Sequence, residues 1–398
     1  MAHREGHLQK KRHFLPTVVV GLFFLWDFYV GPAGAGVRIF DFGAVFILTV
    51  ACIRRVYVRH EIAHMQSVSL SVGAVLFGVT AGLAIALLRG ESSLTRPGVG
   101  LFMGALTLVL WALARFSKGE LCYALKFSMW AAIIVQFLQV FVFYATDQLL
   151  SPPTIFGGEA RINYNEFRPA GLFLEPANHC LTIISALSIV ATFSRPKAAL
   201  FFLTVLSIVL SKSLSGFLLL SALILLMPNL RAYCTRMTLP IILGLSLFGL
   251  DLFAGIQDIF VRITNLQTDG SYLHRFGIFA GDLAVTSHSD FASILFGHGL
   301  SGAGIATYGL NGIGFLAGGL GIILTTAWIL YLILMSRLPQ RTTLFLIFLL
   351  SLSSQIQTIM FFWMIIGIIL FTPCKSSGRI KQKGLISSSQ DNPGIATQ

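Results

Sequence analysis

The chain has 398 residues, of which 55% are hydrophobic and 11% charged, with 28 Lys and Arg against 16 Asp and Glu and a formal charge of +12. Soluble domains carry roughly 25% charged residues, so with a mean hydropathy of +0.81 most of this sequence has no water-facing surface to build. A basic excess can signal nucleic-acid binding, but here the cations fall in short clusters between long apolar runs, which assigns them to membrane topology and leaves no nucleic-acid partner.

A helix crosses the ~30 Å hydrocarbon core with about 20 apolar residues. In chain order, the apolar runs predict spans near 14–30, 37–53, 67–88, 98–114, 121–146, 177–194, 198–211, 215–229, 239–255 and 309–335. The first run is longer than a signal-peptide core, has no small-residue cleavage site after it and follows Lys10, Lys11 and Arg12, so it reads as an uncleaved span. The last run, 342–371, is too long for one upright span and carries Ser353-Ser354-Gln355-Ile356-Gln357 in its middle, which reads as a break between two short helices. The fold class is therefore an all-α polytopic membrane protein of about 12 transmembrane helices with two long extracytoplasmic loops.

Basic residues favour cytoplasmic loops. With the N-terminus inside, 19 of the 28 Lys and Arg lie in inside segments, and the last four (Lys375, Arg379, Lys381 and Lys383) require an even number of spans. Both termini are expected in the cytoplasm. The chain then divides into spans one to five over 1–146, a first outer loop over 147–176 and spans six to nine over 177–255. A second outer loop over 256–308, the C-terminal spans over 309–371 and a disordered cytoplasmic tail over 372–398 follow. The five Cys are scattered without a CxxC pair, as packing thiols are.

Structureless loops of this length are uncommon unless functional. The two outer loops hold Arg161, Arg168, Arg262 and Arg275 with carboxylates and aromatics interleaved. Outside arginines run against the orientation bias, so Arg168 and Arg275 stand out. In Arg168-Pro169-Ala170-Gly171-Leu172-Phe173-Leu174-Glu175-Pro176, Gly171 allows a positive φ and Pro176 suits the first turn of a helix. Glu175 then sits at a helix N-terminus, as a cap or as a group that orients or deprotonates a hydroxyl. His179, four residues on, is expected to share its face. Lys212, in an outer turn between two short spans, either snorkels or reaches a phosphate. Asp27, Asp41 and Asp251 lie in or beside apolar runs, where acids usually have a partner or a function.

The Arg-Pro-x-Gly-x-Phe-x-Glu-Pro segment of Arg168 to Pro176 resembles an element of the bacterial O-antigen polymerase and ligase superfamily, the Wzy-like GT-C-type membrane glycosyltransferases. Ser271-Tyr272-Leu273-His274-Arg275 resembles its Ser-x-x-x-Arg element, and Phe296-Gly297-His298-Gly299 its Phe-Gly-x-Gly turn. Asn311 and the glycines Gly312, Gly314, Gly318, Gly319 and Gly321 fit the next element, and the likeness runs from about residue 147 to the end. Leu310 stands where ligases often have a histidine before the asparagine, which favours a polymerase.

The resemblance implies transfer of a glycan from an undecaprenyl diphosphate carrier to a lipid-linked repeat unit on the outer face, with a chain-length regulator as a partner protein. Arg168, Arg275 and Glu175 would be its catalytic residues, and Arg161, Arg262, His179, His298 and Lys212 its substrate contacts. Arginine makes bidentate, permanently charged contacts with phosphate. There is no Asp-x-Asp signature and no cluster with ligand spacing, so no metal or other cofactor is expected. A ligase and a lipid-linked oligosaccharide flippase are the rival readings; the absence of a repeat between the halves weighs against a transporter.

Overall fold

The computed structural model describes residues 49, 104, 106–112, 116–148, 150, 167–173, 175–234, 257, 260–261, 263–265, 291–297, 312–352 and 360–372. All regular structure among these residues is helical. The helices are α1 (Lys118–Thr146), α2 (Pro176–Phe193), α3 (Ala198–Leu210), α4 (Leu214–Leu226), α5 (Pro228–Cys234), α6 (Phe291–Phe296), α7 (Gly312–Met335), α8 (Gln340–Leu352) and α9 (Met360–Phe371). The spans foreseen near 14–30, 37–53, 67–88 and 239–255, with Asp27, Asp41, Asp251 and the tail beyond Thr372, lie outside the described residues.

Among the described residues two helices, α1 with 29 residues and α2 with 18, are long and apolar enough to cross a membrane. α1 starts at a reciprocal cap: Ser117 Oγ accepts from Glu120 N at 3.2 Å, and Glu120 Oε2 accepts from Ser117 N at 2.9 Å. It ends at Asp147, in the left-handed region at φ 55, whose N–H bonds Phe143 O. Its two faces differ in kind. Ala124, Ser128 and Ala132 are buried, while Tyr123, Phe127, Trp130, Ile134, Leu138, Phe141 and Tyr144 are exposed. Small residues at a four-residue interval let a helix backbone approach its neighbours closely.

α2 is the central helix, buried at every position from His179 to Ala191, with α1, α3, α4 and α8 packed around it. α3 and α4 have 13 residues each, about 20 Å long, matching within three residues the two short spans foreseen at 198–211 and 215–229. The turn at 211–213 ends one, and Pro228, which cannot continue a helix, ends the other. The run foreseen as a single span at 309–335 is broken within α7 at Gly321, with φ 74 and ψ 168. α8 and α9 flank the polar break foreseen in 342–371, and Arg337 N bonds Ile369 O at 3.0 Å, so the start of α8 and the end of α9 meet. On α9, Trp363 lies against Gly104, and Gly367 lies against Trp111.

The bundle has two chemically distinct ends. At one, Cys122 near the start of α1 meets Ser194, Tyr233 donates to Pro196 O, and Thr192 meets Thr342. That end gathers Lys118, Arg195, Lys197, Arg231, Arg337 and Arg341. The opposite end carries Asp147, the start of α2 at Glu175 and the α3–α4 turn. Its described cations are Arg168 and Lys212.

Candidate functional site

The segment 167–173 has no regular structure, yet Pro169, Ala170, Gly171 and Phe173 are buried. Buried backbone must find partners for its polar groups, and here side chains supply them. Gln139 of α1 accepts from Gly171 N at 2.7 Å through Oε1, and its Nε2 donates to Gly171 O at 2.9 Å and to Leu150 O at 2.8 Å. Gln136, one turn earlier, donates through Nε2 to Pro169 O and to Ser207 O of α3, each at 3.0 Å. Phe173 N closes a turn onto Ala170 O at 3.1 Å. Gly171 has φ 64, and a Cβ there would meet Ala132 O at 3.0 Å and His179 Nδ1 at 3.1 Å. The foreseen positive φ is therefore doubly required, by backbone sterics and by this close approach.

Arg168 opens the segment. Its Nη2 donates to Lys212 O at 3.1 Å, joining the loop to the α3–α4 turn. Lys212 itself adopts φ 49, an uncommon conformation for a residue with a Cβ. The turn is held by Ser211, whose Oγ donates to Ile208 O at 2.6 Å and lies 2.9 Å from Cys180 Sγ, and by Ser213, which caps α4 through Gly216 N at 3.3 Å. Phe167 stacks on Phe143 with ring centroids 4.0 Å apart and meets Tyr144 edge-on at 6.3 Å. Two residues that bear formal positive charge, far apart in sequence, thus share one junction beside the end of α1.

Glu175 is the N-cap of α2, extended at φ −127 and ψ 141, with Pro176 in the first turn as foreseen. Its side chain makes no capping hydrogen bond and is half-buried. The Glu175 C=O accepts from His179 N at 3.2 Å, one turn on, and Glu175 is half-buried where His179 is fully buried. His179 is fully buried, packs edge-on against Phe173 with centroids 5.5 Å apart, and its Nε2 lies 2.8 Å from Ser207 Oγ. Ser207 Oγ in turn donates to Gln136 Oε1. Since both Nε2 protons of Gln136 are engaged by carbonyls and the Ser207 proton by Gln136, His179 is the donor to Ser207. Its Nδ1 carries the lone pair and faces Gly171.

No family model, curated protein or solved structure matches this chain. Arg161, Arg262, Arg275 and His298 lie outside the described residues. The Phe296-Gly297 step is described: Gly297 is buried at φ 78, and a Cβ on Gly321 would strike Leu295 O and lie 2.5 Å from Gly297 N. The end of α6 is therefore seated in the break of α7. Among the described residues no three His, Cys, Asp or Glu side chains gather as metal ligands. Sequence reasoning missed Gln136, Gln139 and Ser207. Two amides three residues apart in an apolar helix were the available signal, because a polar group in such a run needs an internal partner.

Proposed function

We propose that this chain is a polytopic bacterial inner-membrane glycan polymerase of about twelve spans. It transfers a glycan from an undecaprenyl diphosphate carrier to a lipid-linked repeat unit on the outer face. The observation that carries this reading is the Arg168–Lys212 junction: two cations far apart in sequence meet at the end of the bundle opposite the basic one, next to the start of α2. The resemblance of Arg168 to Pro176 to the polymerase and ligase superfamily supplies the substrate class.

In this scheme Arg168 and Lys212, with Arg275, Arg161 and Arg262 from the outer loops, hold the diphosphate. They stabilise the charge that grows on it as the bond between the anomeric carbon and the phosphate oxygen breaks. The acceptor hydroxyl forms the new bond to that carbon, and its proton passes to Glu175. Preorganised donors of this kind contribute about 3–4 kcal/mol each to the barrier. His298 is a sugar contact in this scheme. His179 is a brace within the core, since its Nε2 is committed to Ser207.

The membrane part of the reading is supported by α1. Tyr123 and Tyr144 bracket its exposed apolar stripe. At 1.5 Å per residue they lie about 31 Å apart, matching the ~30 Å hydrocarbon core with aromatic residues at both boundaries.

The test is genetic and chemical. Deleting the gene in its host leaves single repeat units on a glycan gel if the chain is a polymerase. Loss of all units identifies a flippase, and accumulation of long carrier-linked chains identifies a ligase. Arg168→Ala and Arg275→Ala are each expected to cut polymerisation about 10²–10³-fold at normal membrane levels. Arg168→Lys recovers little, because the ammonium lacks the planar fork. Normal polymerisation by both alanine variants overturns the site.

A further inference from the structure

We propose that Gln136 and Gln139 of α1 are positioning residues that set the placement of Arg168. The inference rests on the reading of Arg168 as the diphosphate-binding residue and adds the device that holds it. Four observations carry it.

First, the loop carrying Arg168 is irregular, yet Pro169, Ala170 and Gly171 are buried and their three carbonyls each have a partner. Pro169 O is taken by Gln136, Ala170 O by Phe173 N and Gly171 O by Gln139. Pro169 has no N–H, and the Gly171 N–H goes to Gln139 Oε1. The glutamine amides therefore act as a surrogate strand, reading a single residue's N–H and C=O together at Gly171. In a water-poor interior no solvent replaces them.

Second, both amides saturate their hydrogen-bonding capacity in one direction. Each Nε2 spends both protons on backbone carbonyls, and each Oε1 accepts from a different element, Gly171 N for Gln139 and Ser207 Oγ for Gln136. A glutamine rotated end for end would set its NH2 against the Gly171 N–H and its oxygen against carbonyls. The arrangement has one register.

Third, Gln136 connects the two walls of the Arg168 junction. It holds Pro169 O on the loop side and Ser207 O on α3, one turn before the Ser211–Ser213 turn whose Lys212 carbonyl receives the guanidinium. The separation between Arg168 and its acceptor is thus fixed through one amide.

Fourth, His179 completes the brace from α2. It donates to Ser207, and its ring closes the space that a side chain on Gly171 would fill, so the glycine is bonded from α1 and packed from α2. Polar groups linked in one buried network couple to one another.

The full-length protein in membranes provides the test. Gln139→Met and Gln136→Met keep the side-chain length and remove the amide. Each is expected to lower polymerisation at least tenfold in an otherwise wild-type chain and to add no more than twofold to Arg168→Ala. That non-additivity marks action through Arg168. Equal fold-losses in both backgrounds, or wild-type rates, overturn the proposal.

Gln139→Glu adds a signature that packing does not produce. The carboxylate opposes Gly171 O and Leu150 O, whereas the protonated acid donates to one of them. Its rate relative to wild type is therefore expected to rise as pH falls, and a flat ratio counts against the clamp.

A third measurement does not use polymerisation. A spin label on Arg168→Cys is expected to be immobilised with Gln139 present and to gain mobility in Gln139→Met, and unchanged mobility overturns the proposal. If the chain has no polymerase activity, the functional reading fails while the label still decides the clamp.

Discussion

At the scale of single residues, the site is built from backbone that ordinary side chains disfavour. Gly171 has φ 64 and no room for a Cβ between Ala132 O and His179 Nδ1. Gly171→Ala is expected to lower stability by about 1–3 kcal/mol, read as a fall in thermal unfolding temperature of the purified protein. Gly171→Asn relieves the φ penalty but not the contact, so it should fall as well. Lys212 gives the opposite contrast. It holds φ 49 despite its Cβ, a conformation that disfavours an L-residue by about 1–2 kcal/mol. Lys212→Gly should therefore raise the unfolding temperature while lowering polymerisation several-fold, since the ammonium is lost. A variant that is both more stable and fully active removes Lys212 from the proposed site.

At the scale of elements, breaks matter as much as helices. α7 is interrupted at Gly321, and the break receives the end of α6 at Leu295 and Gly297. The opposing groups are backbone atoms that cannot swing aside. Gly321→Ala is accordingly expected to destabilise by about 2–4 kcal/mol, with faster amide exchange over 291–297 as the local readout. Of these features the sequence makes some plain. Pro176 at the start of α2, Gly171 and the polar interruption of 342–371 all depend on neighbours within a few residues. Gln136 binding Ser207 and Arg168 binding Lys212 link residues 71 and 44 positions apart. Nothing local distinguishes these glutamines from polar residues facing a lumen. The break at Gly321 was equally hidden, because a run of glycines permits a bend at several points and only the docking of α6 selects one.

At the scale of the whole molecule, charge separates along the bundle. Lys118, Arg195, Lys197, Arg231, Arg337 and Arg341 gather at one end, while Arg168 and Lys212 meet at the other. Under the orientation bias of basic residues, single cysteines at Lys118 and Arg341 should resist a membrane-impermeant thiol reagent in intact cells. A cysteine at Gln148, exposed beside the end of α1, should react. Reaction only at the first two reverses the orientation, and identical behaviour of all three contradicts the separation of the ends. The sequence already grouped these six cations on one side, because they fall in short clusters between the apolar runs. Which of the remaining cations converge was not legible, because convergence is set by how α1, α2 and α3 pack.

One amide has a consequence for how this protein can change over time. Gln139 Nε2 bonds both Leu150 O and Gly171 O, so it tethers the chain on either side of the intervening outer segment at a single point. The ends of that segment are thereby closed independently of what lies between them. Loop-closure entropy grows only with the logarithm of length, about 0.6 kcal/mol for each doubling. Apart from Arg161, the segment 151–166 is therefore expected to tolerate changes of length and sequence at small thermodynamic penalty without moving Arg168. In the proposed scheme the placement of Arg168 is pinned to α1, while the tethered segment, Arg161 apart, is free to drift in sequence.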